Sequence, residues 1–305
     1  VAHETMATPV PEEPRRILER YLKSSFANED HLNSYLDPNR GGQRYVEFHN
    51  MREGLYGIVA SLMMGDAEWA RETGDLMLAT LASITDDSGR WSIELARERG
   101  MADRCEGVGV PNAARLVDPL LAYHRLTTNP LALELAGQYA RAGVEELFLP
   151  NGVFAPMHRS SGHVHSITSS LSGITEYALL TGDSAMLERC VAAMETGVPE
   201  YFSSWGWGDE VYPDHPANEI GRGEMNQTGD VIRSALHLGA AGHHEYYGLA
   251  ERYLRSMVLP TQHTEETLAE FAREVDEPEG DFRRDVLYRA AGGYAMQLPN
   301  DRMQP

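Results

Sequence analysis

The pattern that most restricts this chain is a helical hairpin that recurs along it. Residues 51–84, MREGLYGIVASLMMGDAEWARETGDLMLATLASI, place Leu55, Ile58, Val59 and Leu62 at helical spacing, then Trp69, Thr73, Leu76, Met77 and Leu81 again. Between the two runs stands Gly65-Asp66, where a residue that tolerates positive φ is followed by one that accepts exposed N–H groups. Residues 114–140 repeat the unit with Leu116, Val117, Leu120 and Leu121 before Asn129-Pro130, an N-cap followed by the proline that suits a first helical position. Residues 165–194 repeat it around Gly182-Asp183, with Ile167, Leu171, Ile174 and Ala178 before the turn and Leu187, Cys190, Val191 and Met194 after it. A further copy, 229–259, has Val231, Ile232, Ala235 and Leu236, then Gly242, then Tyr247, Ala250, Leu254 and Met257. A repeat every roughly 50 to 65 residues is the mark of stacked supersecondary units.

The first helix of each copy is small and apolar around much of its circumference, while the second carries more charge, as in AEWARETGD and AERYLRS. First helices are therefore expected inside and second helices outside, with Leu55, Leu120, Ile174 and Ile232 buried. The turn within a copy is tight, whereas the returns at 86–111, 150–164, 205–227 and 260–280 are long, and long loops at one end of an array are where sites are built. No β-hairpin or alternating βα pattern is legible, so Gly107-Val108-Gly109 reads as a turn before Pro111 rather than a dinucleotide loop.

Composition removes several functional classes. The formal net charge of −20 opposes nucleic-acid or anionic-membrane binding, which rests on clustered Lys and Arg. Lys23 is the only lysine, which removes Schiff-base, pyridoxal phosphate and P-loop chemistry. The two cysteines, Cys105 and Cys190, form no zinc-like pair, and Cys190 lies on a helical apolar stripe as a buried small hydrophobe. No apolar run approaches ~18 residues, and residues 1–14 lack the core of a signal peptide. A cytoplasmic or periplasmic bacterial location is expected rather than a membrane one.

The hairpin array, its small-residue turns and its long return loops resemble the six-hairpin glycosidase superfamily. EFHNMREGLYGIVASLMMGD and MNQTGDVIRSALHLGAAGHHEYYGLAERYLRSMVLPTQ are similar to bacterial glycan-degrading members related to β-L-arabinofuranosidase-like and uronic-acid-releasing enzymes. The resemblance covers roughly residues 43–300. It implies an all-α (α/α) toroid, one domain over 1–305 with a flexible segment at 1–13, and a hydrolase acting on a plant or algal type oligosaccharide. The cysteine and glutamate zinc site of some arabinofuranosidase-like toroids is not evident in this sequence. Four clear hairpins and a helical tail near 264–291 complete a six-hairpin ring only with the segment near 14–26, or as part of a longer chain.

The chemistry is expected on the return loops. Residues 206–230, GWGDEVYPDHPANEIGRGEMNQTGD, gather carboxylates behind Trp205 and Trp207 and deliver Asn226, Gln227 and Asp230 to an apolar helix. Glycosidic cleavage uses one carboxylic acid and one carboxylate. Glu224 and Asp230 are the expected pair, with Glu53 in reserve. Trp205, Trp207 and Tyr212 offer flat faces for sugar rings, and Asp209, Glu210, Asn226 and Gln227 hydrogen-bonding edges. Asp230 has an alternative reading as a helix-start charge, and the tryptophans as core seals.

RYVEFHNMREGLY places His49, Arg52 and Glu53 together at a helix start, with the alternative that Arg52 and Glu53 only pair with each other. Arg104 and Arg115 are candidates for gripping a uronate, against the commoner structural salt bridge. MHRSSGHVHS brings His158, His163 and His165 onto one return loop, read as hydroxyl-binding or proton-transfer groups, with plain surface histidines as the main alternative; no metal and no cofactor are expected, because nothing in these spacings fixes a metal geometry. A uronate lyase using His165 or a tyrosine as base, and a non-catalytic glycan-binding repeat protein, are the rival functions.

Overall fold

A computed structural model describes residues 12–33, 35–37, 43–46, 48–64, 67–103, 113–155, 163–210, 222–274, 291–294 and 297–299. The helices are α1 (Glu12–Ser25), α2 (Phe48–Met64), α3 (Ala67–Ser83), α4 (Ile93–Glu98), α5 (Val117–Thr127), α6 (Pro130–Leu147), α7 (Val164–Thr181), α8 (Ser184–Ala192), α9 (Met225–Ala240), α10 (Glu245–Tyr253) and α11 (Glu265–Glu274). The pairs α2/α3, α5/α6 and α9/α10 pack as the hairpins read from the sequence, and α7 and α8 are the successive helices expected on either side of Gly182-Asp183. The chain divides into two compact units, Val1–Leu149 with Gly173–Leu187, and Pro150–Ser172 with Glu188–Pro305, so that the division falls within α7 and α8.

In the first unit, α3 packs on α2, α6 on α5, and α2 and α3 also meet α5 and α6. The α5/α6 turn forms as its sequence dictates. Asn129 accepts from the N–H groups of Leu131 and Ala132, Pro130 occupies the first helical position, and Thr128 takes the left-handed conformation that ends α5. Asp75 on α3 fastens this corner, accepting from Tyr123 Oη at 2.9 Å and Asn129 Nδ2 at 2.6 Å. Leu55, Leu120 and Ile174 are fully buried, as is Cys190 of the second unit. Gly65-Asp66 lies outside the described residues.

Ile232 corrects the expectation: it is half-buried. The inward face of α9 runs through Gln227, Asp230, Val231, Ser234, Ala235 and Leu238, and Ile232 stands to its side. Leu76, Leu236, Tyr247 and Leu254, also read as stripe residues, are exposed beside buried Met77, Ala235, Tyr246 and Tyr253. A second correction concerns strands. β1 (Tyr35–Asp37) pairs antiparallel with β2 (Gln43–Val46), in register Tyr35↔Tyr45, and β2 pairs parallel with β3 (Met101–Asp103), in register Tyr45↔Ala102. Strands of three or four residues are too short to show an alternating pattern, which is why the sequence hid them.

In the second unit, α9 packs against α10. Before α9, β4 (Arg222–Glu224) pairs antiparallel with β5 (Gln297–Pro299), placing Glu224 opposite Gln297. The segment 203–210 is stitched to the start of α9, with Thr228 Oγ1 donating to the Gly206 carbonyl at 2.9 Å and Gln227 Nε2 to the Asp209 carbonyl at 3.0 Å. Trp207, Met225 and Met257 form a buried cluster beneath it. Among the described residues no helix is long and apolar enough to cross a membrane.

Candidate functional site

The second unit joins two distant pieces of sequence in one polar centre, the start of α7 and the junction of β4 with α9. His163 is the bridge residue before α7, and its neighbour's amide, Val164 N, donates to the Glu210 carbonyl at 3.0 Å. His165 enters the first turn of α7, so the two imidazoles stand close, their ring centroids 5.6 Å apart and nearly perpendicular. Across from them, Glu224 has the extended backbone of an N-cap yet makes no capping bond with its side chain. Its carboxylate turns instead to the histidines.

The contacts run as a chain. His163 Nδ1 meets Ser166 Oγ at 2.8 Å, and His163 Nε2 meets Glu224 Oε2 at 3.1 Å. Glu224 Oε1 lies 3.3 Å from His165 Nδ1 and accepts from Asn226 Nδ2 at 3.0 Å. His165 Nε2 lies 3.3 Å from Asp230 Oδ2, which also accepts from Thr168 Oγ1 at 3.2 Å. The side chains of His165, Glu224 and Asp230 are 5%, 6% and 9% exposed, whereas that of His163 is 37% exposed and forms the solvent-facing end.

Burial would push the Glu224 carboxyl up, but hydrogen bonds from His163 and His165, and the positive charge those rings can carry, outweigh it and hold the group well below the ordinary carboxylate range. Glu224 is therefore an ionised group in a nearly dry setting. For Glu224 the histidines outweigh burial, which makes it the ionised member of the expected acid and carboxylate pair. Asp230 sits in the second turn of α9 rather than at its first N–H groups, and its carboxylate serves His165 and Thr168.

Other expected site residues have different settings. Trp207 is buried and its indole N–H donates to Asp209, whose carboxyl is pushed up by burial and partly brought back by that bond. Trp205 is 36% exposed, tilted by 32° against Trp207 at 6.2 Å between ring centroids. Gln227 is buried and tied to the loop backbone. Glu210 is half-buried and contributes its carbonyl to α7.

In the first unit, Arg52 pairs with Glu53 at 2.6 Å and lies over the Tyr56 ring at 5.2 Å, and Arg115 is buried. His49 belongs to α2, but its side chain, like Arg104, His158, Tyr212, Asp214 and Glu219, lies outside the described residues. The sequence reading missed Ser166 and Thr168. Their signal is the run SITSS, hydroxyls on a helix otherwise apolar enough to be buried all round.

His163, His165 and Glu224 each present one donor atom, all within 4.8 Å of one another, which is a spacing able to hold a metal ion.

No protein-family model and no curated protein sequence matches the chain. Among solved structures, it is similar to one described as a glycoside hydrolase, with a TM-score of 0.50 and 14% identity over 95% of this chain and 53% of that one. It is also similar to one described as a GH127 beta-arabinofuranosidase, with a TM-score of 0.41 and 14% identity over 82% of this chain and 49% of that one. The chain thus spans about half the length of these structures. The first likeness shows the fold alone, an all-α array of helical hairpins, in agreement with the sequence.

Proposed function

We propose that the chain is a glycoside hydrolase acting on an oligosaccharide of plant or algal type, uronates included, at the Glu224–His165–Asp230 centre. The observation that carries this reading is the pair of buried carboxylates joined through one histidine, with half-exposed His163 beside them. The shared fold with a glycoside hydrolase supports it. Glycosidic cleavage develops positive charge at the anomeric carbon and needs a carboxylate to stabilise it or to activate water. Glu224, ionised and shielded from water, meets that need. The leaving oxygen needs an electrophile, a proton or a cation, and the histidine end is where one can be held. Asp230 and Thr168 fix the orientation of His165 from behind.

The test is a screen of aryl-glycosides and uronate oligosaccharides with product analysis, followed by Glu224→Gln and Asp230→Asn on the substrate found. Each variant should lower kcat by at least ~100-fold with the far-UV circular dichroism unchanged. Products should be saturated sugars. An unsaturated, ultraviolet-absorbing product would replace the hydrolase by a lyase, and saturable binding without turnover would leave a glycan-binding protein. Near-normal turnover in both variants would remove these carboxylates from the chemistry.

A further inference from the structure

The hydrolytic reading leaves the positive group beside Glu224 unidentified, and the hydrogen-bond arithmetic of His165 narrows it. Its two ring nitrogens each face a carboxylate oxygen at 3.3 Å, Nδ1 toward Glu224 and Nε2 toward Asp230. A neutral imidazole has one N–H to give. A doubly protonated ring or a protonated Asp230 would satisfy both contacts, and so would Nε2–H given to Asp230 while the Nδ1 lone pair and Glu224 share a cation. The same division fits His163, whose Nδ1 is taken by Ser166 Oγ at 2.8 Å while Nε2 faces Glu224 at 3.1 Å.

Two features favour the cation. Zinc-type ions take imidazole nitrogen and carboxylate oxygen at about 2.0–2.2 Å in tetrahedral geometry, which puts neighbouring ligand atoms about 3.3 Å apart. His163 Nε2 lies 3.1 Å from Glu224 Oε2 and His165 Nδ1 lies 3.3 Å from Glu224 Oε1, and with one donor atom taken from each residue all three lie within 4.8 Å of one another. Metal-binding histidines give their other ring N–H to a carboxylate, hydroxyl or carbonyl that fixes the tautomer, and both histidines have such a partner. Asp230 is itself held by Thr168, and Glu224 by Asn226.

We infer that His163, His165 and Glu224 bind a single divalent transition-metal ion of the zinc class, with Asp230 and Ser166 orienting the two imidazoles. Two nitrogens and one oxygen from the protein leave a fourth position on the side of half-exposed His163, for water or a sugar hydroxyl. The inference uses the same centre as the hydrolytic reading but does not need hydrolysis. It departs from the sequence expectation of no metal.

The experiment is isothermal titration of the full chain, first freed of metal by a chelator, with zinc, and in parallel with cobalt(II) read by visible absorption. One equivalent should bind in the micromolar range or tighter, and cobalt should give the intense bands of a four-coordinate ion. Asp230→Asn should weaken binding by about 10–100-fold, as for loss of an orienting carboxylate. His163→Ala and Glu224→Gln should weaken it further, while the exposed His243→Ala should leave it unchanged. Zinc should raise the melting temperature of the parent and not of Glu224→Gln, which separates lost binding from lost folding. Absence of a one-to-one isotherm, or binding that survives Glu224→Gln, overturns the inference. Hydrolysis without zinc binding would leave the hydrolase and remove the metal; zinc binding with no glycan cleaved would do the reverse.

Discussion

Glu224 occupies an N-cap position and does not cap, and that single conformational choice creates the polar centre. Carboxylates at helix starts ordinarily accept backbone N–H groups; here the histidines of α7 are the stronger partners, because two ring nitrogens and the amide of Asn226 together satisfy a group that has lost its water. Glu224, Asp230, His163 and His165 were each legible in the sequence as candidates on return loops expected at one rim, but the contacts that join them were not. Asp86 shows the local counterpart, since its environment lies within four residues. Its Oδ1 accepts from Ser88 N at 2.9 Å, Ser88 Oγ at 2.6 Å and Arg90 N at 3.0 Å, closing the turn before α4. Burial would raise its pKa, but the bonds from Ser88 and Arg90 bring it below 3.8. A depressed folded pKa means the stabilisation is fully present above the unfolded value and is lost as pH falls through the folded one. Asp86→Ala should therefore cost about 1–2 kcal/mol at neutral pH. Urea unfolding of both proteins should show that difference shrinking in acid, and a difference that persists there would assign the loss to packing instead.

At the scale of elements, two hairpins end alike. After α8 come a five-residue π turn (Ala193–Gly197) and a three-residue 3-10 turn (Val198–Glu200); after α10 come the same lengths, Leu254–Val258 and Leu259–Thr261. Each 3-10 turn has proline at its second residue, Pro199 or Pro260, and proline offers no N–H to continue an α-helix, so the chain rewinds around it. The sequence showed the repeat and the prolines but not the rewinding, which changes no apolar spacing. Glycine turns separate the two kinds of constraint. Gly182, at φ 71, has nothing within 4 Å of a built Cβ, so Gly182→Ala meets only the left-handed backbone penalty of about 1 kcal/mol. Gly152, at φ 86, would put a Cβ 2.0 Å from the Ala192 carbonyl oxygen, so Gly152→Ala adds a backbone clash and should cost about 3 kcal/mol or more. Denaturant midpoints of the two variants give the order; equal losses would mean that the loop at Gly152 yields freely.

For the whole molecule, the dominant long-range property is the net charge of −20. Under the hydrolase reading proposed above, it bears on how a glycan arrives. A uronate oligosaccharide approaches against the field and a neutral one does not, so raising ionic strength should lower KM for the anionic substrate while leaving that for a neutral substrate nearly constant. Steady-state kinetics on the two substrate types across a salt series measures this. A KM for the uronate that rises with salt would show a local positive patch outweighing the global field.

The sequence by itself determined the all-α hairpin architecture, because apolar spacing at helical period and turn pairs such as Asn129-Pro130 and Gly182-Asp183 act over a few residues, where backbone sterics and capping decide the outcome. It also set out the acidic loop and the histidine run from which the centre is built. Only the tertiary structure decided that His165 and Asp230 touch, that Thr168 stands 62 positions from the carboxylate it supports, and that Glu224 is held ionised. Those facts depend on where two loops carry their helices, and on burial and charge summed over residues far apart in the chain, which no local period encodes.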